Sequence, residues 1–299
     1  MDRCHVLSYV NGLALVRDGP YNSFDRDVIS WIYYGNYSSL RKILLWNPSI
    51  NKCIKVPRPL GIISDLDLGL GFDASKNDYK LVLLMYPPIQ IQTDNQGGLV
   101  LGLVQIYTLS TNSWVTKPDV HPPSRCLVGS QVFFNGTIHW MAFGKSVVVD
   151  GSVSIINNDR LYIVRFEVVD EVFSDLELPI RVVDVPTEDS FLTVMEGCLA
   201  MFCGNPSEHD IWVMKDYGNS SSWMKCYTFS LKYSKPLYLK GNGEFLYAKD
   251  GLGIKSYDVK KNQVRDLARP YCKTSNYMIY YTYVESLVLS SAPVRVTEN

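Results

Sequence analysis

A chain of 299 residues, 46% of them hydrophobic and 12% aromatic, is long enough to bury a substantial core. Its formal charge of −1, with no block of five like charges, speaks against a nucleic-acid groove or an anionic-membrane binder. No apolar run approaches the roughly eighteen residues of a membrane span, the first ten residues lack a basic start followed by an apolar stretch, and seven irregularly spaced cysteines make no disulfide framework, so a reducing cytoplasm or nucleus is expected.

The first element, residues 6–16 (VLSYVNGLALV), is two apolar runs around Asn11-Gly12, the dipeptide of a two-residue hairpin turn. A long connection, 17–40, carries SWIYYGNY. Residues 44–57 (LLWNPSINKCIKVP) form a hairpin of another kind, with strands at 43–46 and 53–56. Asn47 can accept a hydrogen bond from the backbone two residues on, Pro48 presets φ for the next turn position, and Pro57 cannot donate to a ladder, so pairing stops there.

The two kinds of hairpin then alternate. The apolar kind returns at 68–85, 131–143, 192–203 and 236–248, and the second kind at 104–118, 162–179, 210–229 and 254–270. A seven-residue interval joins Trp46 to Cys53, Tyr107 to Trp114, Phe166 to Phe173 and Tyr257 to Val264. In the 210–229 copy the interval from Trp212 to Trp223 is stretched by a four-residue Gly/Asn/Ser insertion, which loops tolerate at little entropic cost. Two further connections are long, 86–102 with YPPIQIQTDNQGG and 144–160 with GKSVVVDGSVSIINND.

About five four-stranded units at a period near 45–60 residues is propeller spacing. The expectation is a single all-β, kelch-like β-propeller over residues 1–299, with Trp, Tyr and Phe packed between neighbouring sheets. A solenoid or a large sandwich remains the alternative. The last segment, 276–291 (NYMIYYTYVESLVLSS), alternates so that Tyr277, Ile279, Tyr281 and Tyr283 share one strand face. Because a ring must hide its end edges, this segment is expected beside residues 6–16, sharing their sheet or forming an incomplete sixth blade.

Groups for chemistry are thin. His139 in FNGTIHWMAF reads as a core histidine rather than a general base. His5 heads the first strand, while His121 in a loop and His209 at a turn have no catalytic partner in sequence. Cys198 and Cys203, five apart, do not have metal-ligand spacing. GLGFD, GNGEF and DGLGI read as turns, since no lysine-bearing helix start follows as a phosphate loop requires. Asp65, Asp67, Glu188 and Asp189 read as loop carboxylates. Asn36, Asn135 and Asn219 begin glycosylation sequons but read as turn asparagines. No catalytic residue, metal or cofactor is expected.

LLWNPSINKCIKVP, GLGFDASKNDYKLV, FFNGTIHWMAF, IWVMKDYGNSSSWMKCYTF and YVESLVLSS, in this order over nearly the whole chain, resemble the F-box-associated domain of plant F-box proteins. SYVNGLALVRD is similar to the CNGLLCL segment that opens that domain, with Tyr9-Val10 in place of the usual small residue and cysteine. The resemblance implies a kelch-like propeller that recruits target proteins to a cullin-based ubiquitin ligase, while an F-box clasps a Skp-type adaptor. Only a few residues precede the first hairpin, so no F-box is expected here, and binding of adaptor and cullin depends on one upstream. The alternatives are a ligase-independent interaction scaffold and, third, a propeller enzyme or lectin. The target is expected on the long connections. Trp31, Tyr33 and Tyr34 are the best anchors by residue type, with Ile89 and Gln90 on the second connection; an extra strand with an inter-blade face is the other reading of 31–34.

Overall fold

The computed structural model describes residues 4–18, 43–59, 65–86, 102–120, 126–149, 152–181, 190–204, 208–230, 234–239, 244–249, 253–258, 261, 263–268 and 284–290. They are almost entirely β-strand and form five four-stranded antiparallel sheets. Sheet 1 holds β1 (Cys4–Val10), β2 (Leu13–Asp18), β3 (Ile43–Asn47) and β4 (Lys52–Lys55). Sheet 2 holds β5 (Asp65–Asp73), β6 (Asp78–Tyr86), β7 (Leu103–Thr108) and β8 (Ser113–Lys117). Sheet 3 holds β9 (Cys126–Phe134), β10 (Thr137–Val149), β11 (Ser152–Glu167) and β12 (Val172–Arg181). Sheet 4 holds β13 (Phe191–Met195), β14 (Cys198–Gly204), β15 (His209–Met214) and β16 (Trp223–Phe229), and sheet 5 holds β17 (Ser234–Leu239), β18 (Glu244–Lys249), β19 (Gly253–Asp258) and β20 (Gln263–Ala268). This is the architecture of a β-propeller with five four-stranded blades.

The turns explain why the strands pair as they do. Asn11 and Gly12, Asn135 and Gly136, and Glu196 and Gly197 all have positive φ, the geometry of the type I′ turn whose twist matches that of its flanking strands. In the second kind of hairpin the left-handed position falls later, at Asn51, Asn112 and Glu171. These turns set the seven-residue register that pairs Trp46 with Cys53 and Tyr107 with Trp114, and Tyr257 pairs with Val264 at the same interval. Phe166 and Phe173 meet with ring centroids 4.8 Å apart. The stretched copy differs: Met214 pairs with Trp223 and Trp212 with Lys225. Its insertion closes on itself, with Asn219 capping the short 3-10 turn Ser220–Ser222 and Ser222 Oγ donating to the Asp216 and Asn219 carbonyls, which moves the register by two residues.

The chain divides into two compact units, one of residues 1–158, 162–175 and 283–299, the other of 159–161 and 176–282. In the first, Leu13, Leu15 and Leu45 of sheet 1 share a buried core with Leu70, Leu81 and Tyr107 of sheet 2. Sheet 2 uses its other face too, setting Val82, Leu84 and Ile106 against Ile138, Trp140 and Phe166 of sheet 3. Burial on both faces is what the unbroken apolar run of β6 encodes. In the second unit, Phe202 and Phe229 of sheet 4 pack with Phe245 and Tyr247 of sheet 5, the Phe229 and Phe245 rings 4.3 Å apart.

Several expectations need correction. GLGFD is no turn but part of β5, where glycine is required because Trp140, Ile138 and Val168 press on the strand: a Cβ at Gly69 would lie 2.3 Å from Trp140 Cζ2. Asp65 and Asp67 belong to β5 as well, drawn into a nine-rung ladder by the long β6. His209 opens β15 instead of a turn, stacked on Phe229 at 12°. Residues 144–160 are no irregular connection: β10 and β11 run on through most of them as a long hairpin arm. His121, Glu188, Asp189 and Asn36 lie outside the described residues.

Candidate protein-binding site

In a four-stranded meander, the turns joining strands one and two and strands three and four emerge at one end, and the link between strands two and three at the other. In the first unit the turn ends are bound to one another. Tyr79 Oη donates to the Asn11 carbonyl (2.6 Å), joining sheet 2 to the first turn of sheet 1. Lys80 Nζ donates to the Val168 carbonyl (2.8 Å) and pairs with Glu171 (2.9 Å), both in the last turn of sheet 3, and also with Asp73 (2.9 Å). Val168 N closes the end of sheet 3 on the Gly136 carbonyl (3.1 Å).

Lys80 is 2% exposed. Burial alone would lower its pKa, but hydrogen bonds to Glu171 and Asp73 outweigh this and raise it. For Asp73, burial works toward the neutral acid, yet hydrogen bonds from Ser75 and Lys80 hold its pKa down at about 2. Lys117 Nζ completes the network on Glu171 at 2.5 Å. The sequence reading missed this buried network, although Lys80 shares a strand face with the apolar Val82 and Leu84, a placement that asks for a buried counter-ion.

A strap, residues 284–290, covers the turn end of sheet 1. The segment was expected beside residues 6–16, and there it lies: Tyr9 Oη donates to the Val284 carbonyl (2.6 Å), and Leu289 enters the core shared by sheets 1 and 2. Its described residues are not a strand, so they neither extend the sheet nor start a sixth blade. Tyr277, Ile279, Tyr281 and Tyr283 lie outside the described residues.

With the turn ends engaged, the other ends of the same sheets carry the long links between β2 and β3 (residues 19–42) and between β6 and β7 (87–102), and the arm between β10 and β11. The matching links in the second unit are short, 205–208 between β14 and β15 and 250–252 between β18 and β19. Trp31, Tyr33, Tyr34, Ile89 and Gln90 fall on the two long links and lie outside the described residues. The strands that these two links join end on the same side of sheets 1 and 2, opposite the bound turns.

The described residues offer little for chemistry. His139 is fully buried with Nδ1 3.2 Å from the Val132 carbonyl, and burial pushes its pKa down to about 4, so it is a neutral core group at pH 7. Burial pushes the Cys203 thiol up to about 12, which leaves no thiolate. Among the described residues no three His, Cys, Asp or Glu side chains converge on a metal position. Asn135 and Asn219 are turn residues, one in a type I′ turn and one capping the short 3-10 turn.

The chain is 24% identical over 295 residues to F-box protein CPR1 of Arabidopsis thaliana, covering 86% of this chain and 65% of that protein. A second Arabidopsis F-box protein is also 24% identical, over 89% of this chain and 66% of its own length, and an Arabidopsis F-box/kelch-repeat protein is 29% identical over 62% and 47%. The chain therefore spans two thirds or less of these relatives. A solved acylaminoacyl peptidase of Pyrococcus horikoshii is 10% identical, with a TM-score of 0.45 over 89% of this chain and 39% of the peptidase. The family model of the F-box associated beta propeller domain matches residues 36–289, from just before β3 to the buried leucine of the strap, and the chain belongs to that family.

Proposed function

We propose that this propeller is a target-recruiting module of a ubiquitin ligase receptor, and that it holds its target at the end of sheets 1–3 that carries the long links. The supporting observation is an asymmetry within the first unit. One end of its sheets is consumed by Tyr79, Lys80 and the strap, and the three longest strand-two-to-three segments all leave from the other. Variable segments on a rigid scaffold are where recognition resides, and aromatic side chains such as those of Trp31, Tyr33 and Tyr34 supply most of the energy in protein interfaces. The module performs no reaction of its own. Ligase partners of the Skp and cullin type would be engaged through an F-box joined to it, as the names of its relatives suggest.

The test compares two sets of substitutions by proximity labelling in plant cells. Trp31→Ala with Tyr34→Ala, and Ile89→Ser with Gln90→Ala, are expected to remove the labelled partners, with a melting temperature held within about 2 °C as the control that the fold is kept. Val115→Ser, on an exposed position of β8, is expected to change neither. Equal partner sets for all variants would overturn the assignment of the binding end. A partner set whose abundance does not respond to proteasome inhibition would favour the ligase-independent scaffold.

A further inference from the structure

We propose that the turn end of sheet 1 is a peptide-binding groove, selective for a Ser-x-x-Leu segment in a turn conformation and filled in cis by residues 284–290. The contacts are those of peptide capture rather than of ordinary chain packing. Tyr9 Oη donates to the Val284 carbonyl (2.6 Å) and accepts from the Val284 amide (3.1 Å). Ser49 Oγ accepts from the Ser286 amide (3.0 Å), and Lys52 Nζ donates to the Ser290 carbonyl (2.6 Å). Asn47 Nδ2 donates twice, to the Ser286 carbonyl (2.9 Å) and the Val288 carbonyl (2.7 Å). Four side chains of sheet 1 thus read the backbone of the strap.

Selectivity enters at two positions. Leu289 is 7% exposed and joins the buried core that includes Val10, Leu13, Leu45 and Tyr107. Its φ of +69° is one that a branched L-residue avoids, so its burial holds the backbone in an otherwise disfavoured conformation. Ser286 makes the turn that delivers it: Oγ accepts from the Val288 amide (3.1 Å), and Ser290 N donates to the Leu287 carbonyl (2.9 Å). Gly12 leaves the path clear, since a Cβ there would lie 2.0 Å from Ser286 Cβ. Val284 and Leu287, by contrast, are 59% and 74% exposed, so the groove places no demand on their side chains.

Asn47 provides the separating variant. Its Oδ1 accepts from Ser49 N (2.9 Å) and so builds the local turn, while only Nδ2 holds the strap. Asn47→Asp keeps the first role and turns the second into repulsion between a carboxylate and two carbonyls.

The experiment uses the full chain with a protease site inserted after residue 275, first shown to melt like the wild type and then cleaved. A fluorescent peptide of residues 283–291 is added to the cleaved protein. Saturable uptake is expected, weakened about tenfold or more by Asn47→Asp and by a Leu289→Ser peptide, and unchanged for a Val284→Ser, Leu287→Ser peptide. No uptake, or uptake indifferent to Asn47, overturns the proposal. As a second reading on the uncut chain, amide exchange at Val284, Ser286 and Val288 should accelerate about tenfold in Asn47→Asp while that of β14 stays fixed. Equal strap exchange rates would likewise overturn it.

Discussion

Lys80 sits where a solvent-facing lysine would normally be excluded, and its worth is set by what its removal leaves behind. Lys80→Met strands Asp73 and weakens the hold on Glu171, and removing one member of a buried ion pair costs about 3–5 kcal/mol. Urea denaturation at pH 7 is expected to show a loss of that size. Acid adds a second signature. Because the folded pKa of Asp73, about 2, lies below its ordinary value of 3.8, its contribution is complete above pH 3.8 and is lost as pH falls toward 2. That loss is about 2 kcal/mol in the wild type. A Lys80→Met protein should lack most of it, seen as a flatter stability curve between pH 4 and pH 2 in the same denaturant titration. A parallel decline in both proteins would place the acid sensitivity elsewhere.

At the scale of the strand pair, glycine and register decide what can be changed. A Cβ on Gly71 would come within 2.6 Å of Val168 Cγ2, so Gly71→Ala overpacks the contact between sheets 2 and 3 and should cost about 1–3 kcal/mol. Gly136→Ala meets no atom within 4 Å but is strained by a φ of +75°. The two losses differ in origin: Val168→Ala should offset part of the first and none of the second, a difference that a double-mutant cycle by urea denaturation measures. The hairpins themselves were legible in the sequence, because a turn chemistry repeated at fixed spacing sets a register and a one-residue slip would invert both faces. Asn47 was legible as a turn former from Asn-Pro alone. Its hold on the strap was not, since the partner lies 239 residues away. Nor could local pattern show that GLGFD is strand, because its glycines answer to a neighbouring sheet. The stretched hairpin misled by its length, as counting residues across an insertion cannot tell which rung closes it. The aromatic residues singled out for target binding fall on links whose structure the turn pattern does not determine.

For the whole molecule, the strap decides whether the first unit is complete. Leu289 belongs to the core of sheets 1 and 2 and Asn47 is fully buried beneath residues 286–288, so removing residues 283–299 uncovers both apolar and polar surface. A protein shortened in this way is expected to aggregate or to lose its cooperative thermal transition by calorimetry, whereas an unchanged melt would show the strap to be dispensable. The family match runs to residue 289, the last residue whose side chain the strap buries, which marks the strap as part of the domain rather than a tail.

That arrangement also orders events in time. The bond between Tyr9 and Val284 spans 275 residues, so a ribosome adding about 5–20 residues per second exposes the first hairpin on the order of ten seconds to a minute before its partner is made. Through that interval Asn47 Nδ2 and the pocket for Leu289 have only solvent or a stranger to meet. Contacts this distant in sequence are also the slowest to find by diffusion of the chain. Newly made copies therefore pass through a period in which the earliest part of the domain is the most exposed, and it is then, before the strap arrives, that the protein depends most on chaperones.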